Sequence, residues 1–174
     1  MTAGYGLLEN QSFPSLIQGY LDRDGEKWDA VNAGISGDTS SGGAKRISWI
    51  LKSSPTVVFV ALGANDGLRG LDPALTRKNL ESILSRAQKS GAKVILAGMQ
   101  LPMNYGAGYR EAFRKLYPET AKKFRAHYYP FLLEGVAAKP ELNLPDGIHP
   151  NEAGQKVLAQ KVYAFIKPIL EAAP

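Results

Sequence analysis

Asp146 and His149 stand at a spacing suited to proton transfer, in the stretch Asp146-Gly-Ile-His149-Pro150. An aspartate three residues before a histidine can reach one ring nitrogen, fix the tautomer and stabilise the imidazolium. The other nitrogen is then free to act as a general base. The same pair also suits a plainer part, a capping aspartate beside a surface histidine. Asn65, in Gly63-Ala-Asn-Asp-Gly67, carries an amide that can donate to a developing oxyanion, or can close an Asn-Asp turn on its own backbone. Gly37, in Asn32-Ala-Gly-Ile-Ser-Gly-Asp-Thr39, offers an unobstructed backbone N–H to the same charge, or is a turn glycine.

These residues need elements to position them. Apolar runs alternate with helical patterns, which implies an α/β fold with a parallel sheet. Strands are expected over Trp28 to Asn32, Thr56 to Leu62, Lys93 to Ala97 and Tyr128 to Leu132. Thr56 to Leu62 and Lys93 to Ala97 read as strands buried on both faces. Helices are expected from Phe13 to Leu21, with Ser12 as cap and Pro14 in the first turn, and from Gly43 to Ser53, with Ile47, Ile50 and Leu51 inward. Further helices run from Pro73 to Ser90, from Tyr109 to Ala126 with a break or fresh start near Pro118, and from Asn151 to Leu170. Between them lie loops Ala33 to Thr39, Gly63 to Gly70, Gly98 to Ala107 and Lys139 to Pro150. In an open parallel sheet the carboxyl ends of strands are where ligands bind, and the Asn65, Gly37 and His149 loops are expected on that rim.

Composition narrows the chemistry. The chain has 174 residues, the size of one domain, and 44% hydrophobic residues, enough for a core. It has no cysteine, which removes disulfides, thiolate metal sites and a cysteine nucleophile, and only two histidines, His127 and His149, which argues against a multi-histidine metal site. The net charge of +5 reads as a solvated basic surface. The run Lys122, Lys123, Arg125 lacks the aromatic interleaving of a nucleic-acid groove, so no nucleic-acid partner is expected. No stretch reaches membrane-spanning length and residues 1–30 carry no signal-peptide pattern. Neither G-x-G-x-x-G nor a Walker A pattern occurs, which disfavours a nucleotide binder.

Taken together, Ile35-Ser-Gly-Asp-Thr39, Leu62-Gly-Ala-Asn-Asp-Gly-Leu-Arg-Gly70, Leu101-Pro-Met-Asn-Tyr-Gly106 and Asp146-Gly-Ile-His-Pro150 resemble the sequence blocks of the SGNH (GDSL-type) hydrolases. The likeness is to the thioesterase I / lysophospholipase L1 / arylesterase branch and runs over nearly the whole chain. It implies a three-layer α/β/α sandwich of flavodoxin-like type, hydrolysis of carboxylic esters or thioesters, no cofactor, and an exported bacterial protein (periplasmic or secreted). It implies oxyanion donors at Gly37 and Asn65, a base at His149 and its carboxylate at Asp146. Leu101, Asn104, Tyr105 and Ile148 would border the acyl-binding cleft, and small acyl esters, acyl-CoA or lysophospholipids, with transient contact to lipid, would be the substrates.

One departure matters. The family's first block ends in Gly-Asp-Ser and an apolar residue, commonly followed by Thr-Ala-Gly-Tyr-Gly, and Met1-Thr-Ala-Gly-Tyr-Gly6 matches only that tail. The nucleophilic serine and the first strand are therefore expected upstream of Met1, together with any export signal, or on a complementing polypeptide; otherwise the chain is a true truncation that survives by strand exchange. Ser36 is the best placed substitute within the chain, but the family has a structural residue there. A binding protein without turnover is the competing expectation.

Overall fold

The computed structural model describes residues 1–173. Three segments become strands, β1 (Val57–Val60), β2 (Lys93–Ala97) and β3 (His127–Tyr129). They form one parallel sheet in the order β1-β2-β3, with Val57 opposite Lys93 and Ile95 opposite His127. Val94, Ile95, Leu96 and Ala97 are all buried, as a central strand covered on both faces requires. In β1 only Val60 is buried, because this strand lies at one end of the sheet rather than inside it.

The chain divides into two compact units. Residues Gly37–Leu132 carry the sheet and four helices: α2 (Ser40–Ile50), α3 (Ala64–Leu68), α4 (Pro73–Lys89) and α5 (Ala107–Phe124). Helices α4 and α5 pack on β2 and on each other, and α2 packs on α4. The core they share includes Ile47, Leu80, Leu84, Phe113, Leu116 and Tyr117. Residues Met1–Ser36 and Leu133–Ala172 form the second unit, built on α1 (Phe13–Arg23) against α6 (Glu152–Glu171). Phe13, Ile17, Leu21, Leu158 and Val162 are its apolar centre.

Several expectations change, each for a physical reason. Trp28 to Asn32 is not a strand. Its backbone is engaged by one side chain: Gln18 Nε2 donates to Trp28 O at 3.1 Å, and Ala30 N–H donates to Gln18 Oε1 at 2.7 Å. Ser12 stands at the N-cap of α1 as expected, but its hydroxyl makes no cap bond, being engaged by Ser15 Oγ at 3.0 Å and Asn32 Nδ2 at 3.3 Å. Helix α2 begins at Ser40, three residues before Gly43, since the buried Asp66 accepts the Ser40 N–H at 2.8 Å. Its Ile47 is buried, whereas Ile50 and Leu51 are half-buried. The loop expected from Gly63 to Gly70 contains α3. Pro118 does not break α5. A proline inside a helix costs about 3 kcal/mol, and the buried Phe113, Leu116, Tyr117 and Ala121 on the same helix offset it.

One surface cluster fastens α1 to α6. The Asp24 carboxylate accepts from Lys167 Nζ at 2.7 Å, Tyr163 Oη at 2.8 Å and Arg23 Nε at 2.9 Å. These donors, Lys167 foremost, hold its carboxyl well below the usual carboxylate range. A depressed native value means stability that is present above the unfolded carboxyl pKa of about 3.9 and is lost as pH falls below it. Thermal melts from pH 7 down to pH 3 should therefore show the wild type losing its advantage over Asp24→Asn at the acid end. A constant gap between the two would rule this contribution out.

Candidate active site

The Asp146 and His149 pair is built within one short loop of the α6-bearing unit. Asn143 and Pro150 form an antiparallel bridge, Leu144 N–H donates to His149 O at 2.7 Å, and Gly147 turns with φ of 71°. Asp146 Oδ1 accepts the N–H groups of Ile148 and His149, both at 3.0 Å. Its Oδ2 lies 2.7 Å from His149 Nδ1. Burial alone would raise the Asp146 carboxyl, but the Ile148 and His149 N–H groups and the ring nitrogen outweigh it and bring it to about 2. The carboxylate is thus charged at any ordinary pH, and Nδ1 must carry its proton toward it. His149 Nε2 has no hydrogen-bond partner among the described residues, which leaves it open to accept a proton.

Two asparagines hold this loop. Asn143 donates to Val136 O and Lys139 O, both at 2.8 Å, and anchors the turns before it. Asn151 accepts the Gly154 N–H at 3.0 Å as the cap of α6 and donates to Glu141 O at 2.9 Å. On its other side, the His149 ring lies against Tyr5, with centroids 4.5 Å apart. Ile148 beside it is 39% exposed, as a residue available to a ligand must be.

The second cluster belongs to the sheet-bearing unit. Asn65 is in the first turn of α3 and Nδ2 donates one hydrogen to Asp38 O at 2.8 Å. An amide nitrogen has two hydrogens, so one remains for a ligand. Gly37 is exposed with φ of 73°, and its N–H has no hydrogen-bond partner among the described residues. The loop between them is fixed from several directions. The Asp38 carboxylate accepts from Thr39 N–H and from Arg46 Nε, each at 2.9 Å. Arg69 Nη2 donates to Gly37 O at 2.9 Å. Beneath them Asp66, almost fully buried, takes both the N–H and the hydroxyl of Ser40, and Asn79 donates to that hydroxyl at 2.9 Å.

The segment around Leu101 divides in two. Leu101 itself is buried beside Gly67, where an added Cβ would come within 2.5 Å of its Cδ2. Tyr105 Oη donates to Leu68 O at 2.9 Å, tying the segment to the end of α3. Asn104 and Met103 face solvent. Ser36 is exposed and makes no hydrogen bond to His149 among the described residues.

Asp66, Arg69, Asn143 and Asn151 have no functional part in the sequence reading. The first two act across about thirty residues of chain, where spacing carries no signal. Asn151 was legible as the residue opening the last helix, and Asn143 had no local signal.

Over residues 1–157 the chain matches the GDSL-like Lipase/Acylhydrolase family, and it belongs to that family as a hydrolase of the SGNH type. It is 43% identical over 171 residues to the esterase TesA of Pseudomonas aeruginosa, covering 98% of this chain and 85% of that protein. It is 39% identical to the thioesterase 1/protease 1/lysophospholipase L1 of Escherichia coli, covering 98% of this chain and 81% of the relative. Among solved structures, the psychrotrophic esterase EstA from Pseudoalteromonas sp., inhibited by monoethylphosphonate, superposes with a TM-score of 0.93 at 32% identity, over 98% of this chain and 93% of EstA. The parallel sheet with its helices is the SGNH α/β arrangement, and these relatives are bacterial. Among the described residues no helix is long and apolar enough to cross a membrane.

Proposed function

We propose that this protein is a serine hydrolase that cleaves carboxylic esters or thioesters through an acyl-enzyme. His149 is the base, Asp146 its orienting carboxylate, and Gly37 N–H and Asn65 Nδ2 are the oxyanion donors. The nucleophile this chemistry needs is the serine of the family's Gly-Asp-Ser block, whose tail is matched by residues 1–6. The observation that carries this reading is the Asp146–His149 contact of 2.7 Å, with Nε2 left open. The Tyr5 ring against His149 supports the assignment of the serine, because it brings the first residues of the chain to the imidazole.

The chemistry runs in two halves. The serine hydroxyl attacks the acyl carbon as His149 Nε2 takes its proton, and the carbonyl oxygen becomes an anion held by the two donors. His149 then returns the proton to the departing alcohol or thiol as its bond to carbon breaks. Water attacks the acyl-serine by the same proton path and releases the acid. The reaction requires both clusters at one acyl carbon and needs no cofactor. Short to medium acyl esters, acyl-CoA or lysophospholipids are the proposed substrates, with Leu101, Asn104, Tyr105 and Ile148 bordering the acyl group. An exported, periplasmic or secreted, location belongs to the same proposal, and cell fractionation with an antibody checks it.

The test compares the 174-residue chain with the chain extended upstream to the serine, on p-nitrophenyl butyrate. The extended form should turn over and should form a covalent adduct with a serine-directed phosphonate, seen as a mass increase. Within it, Asn65→Ala should lower kcat by about 10²–10³-fold with KM little changed. Acyl binding without turnover or adduct in both forms would instead establish a binding protein.

A further inference from the structure

We propose that Arg69 is a positioning residue for the oxyanion donors, holding the Gly37 peptide where its N–H meets the developing charge. The inference rests on the reading of Gly37 and Asn65 as those donors. Asn65 lies in the first turn of the short helix α3 (Ala64–Leu68), and Arg69, four residues on, is its C-cap. They reach two consecutive carbonyls of one loop: Asn65 Nδ2 donates to Asp38 O at 2.8 Å and Arg69 Nη2 donates to Gly37 O at 2.9 Å. The element that carries one donor thereby grips the chain that carries the other.

The loop needs this grip. Ile35, Ser36 and Gly37 are exposed, so packing does not hold them. Gly37 sits at φ of 73° with no side chain, where the backbone has the most freedom to turn. The Asp38 carboxylate fixes the following residue through Thr39 N–H and Arg46. The Gly37 carbonyl has Arg69 as its hydrogen-bond donor among the described residues. Arg69 forms no ion pair among those residues, so its charge is not neutralised by a carboxylate and strengthens the bond to the carbonyl. Releasing that carbonyl lets the peptide on either side of Gly37 rotate, and the N–H turns from the charge it should meet.

The experiment uses the serine-bearing protein with Arg69→Met and Arg69→Lys, p-nitrophenyl butyrate as substrate and a p-nitrophenyl phosphonate as inactivator. Arg69→Met should lower kcat roughly 10- to 100-fold with KM little changed, since a misplaced group costs rate rather than binding. The phosphonate inactivation rate should fall by the same factor, because its phosphoryl oxygen occupies the same donors. Arg69→Lys and added methylguanidinium should each restore part of kcat, while the melting temperature of Arg69→Met stays at the wild-type value. An unchanged kcat in Arg69→Met, or a loss confined to KM, overturns the inference. If Asn65→Ala costs rate and Arg69→Met does not, only this inference falls. If neither costs rate, the oxyanion reading falls with it.

Discussion

Asp146→Asn should cost about 10⁴-fold in kcat while leaving the loop folded. The amide keeps one oxygen, and the Ile148 and His149 N–H groups, both 3.0 Å from Oδ1, will claim it. The NH₂ group is then the atom that faces His149 Nδ1, in the place of Oδ2 at 2.7 Å. Two donors cannot share that contact, so the ring must present a bare Nδ1 and carry its proton on Nε2. The nitrogen proposed to accept the serine proton is then already protonated. His149→Ala should abolish turnover to a similar or greater extent, and the double variant should be no worse than the worse single one, because the two residues act as a unit. Because its hydrogen bonds hold the native carboxyl at about 2, protonation of Asp146 does not shape kcat/KM between pH 4 and 8. Asp146→Glu, which keeps a carboxylate at this position, is the control. Steady-state kinetics on p-nitrophenyl butyrate, with melting curves to confirm folding, decide the matter. Equal rates for Asp146→Asn and wild type would remove Asp146 from the mechanism.

What could be read beforehand follows the reach of each interaction along the chain. Lys93–Ala97 was legible to the residue because the four buried residues that follow Lys93 leave a continuous apolar signature. The Asp146–His149 pair was legible because its geometry is closed within four residues. Trp28 to Asn32 has the composition of a strand, but a strand exists only by pairing, and Gln18 engages this one. Helix α3 was hidden because five residues with an internal glycine look like a turn, and its stability comes from elsewhere. Asp66 shows where from: its carboxylate ties Ser40 across 26 residues and Thr76 across 10, so the starts of α2 and α3 could not be read from their own sequences. The two clusters thus differ in kind: one is a local motif, the other a set of distant polar ties that leave no periodic mark.

Gly63→Ala should destabilise the sheet-bearing unit by about 3–5 kcal/mol. Gly63 opens α3 at φ of 104°, where an L side chain is strained by about 1–3 kcal/mol. An added Cβ would also stand 2.2 Å from Tyr117 Oη and 3.3 Å from Thr76 Cγ2. Tyr117 cannot step aside cheaply. It is fully buried, it packs edge-on to Phe113 at 5.5 Å, and its hydroxyl donates to Leu62 O at 3.1 Å. Moving it breaks that bond to the part-buried Leu62 carbonyl, which adds about 1 kcal/mol. The clash has a specific remedy that makes the argument testable. In Tyr117→Phe the offending oxygen is gone and the nearest ring atom lies 3.4 Å from the new methyl, an ordinary contact. Urea unfolding of Gly63→Ala, Tyr117→Phe and the double variant should therefore show the pair to be less damaging than the sum of the singles, by about 1 kcal/mol or more. Strict additivity would mean that the backbone angle alone requires glycine and that Tyr117 plays no part. Because Asn65 lies only two residues on, the same displacement of α3 should lower kcat in Gly63→Ala protein that is still folded, and Tyr117→Phe should recover part of that rate along with the stability.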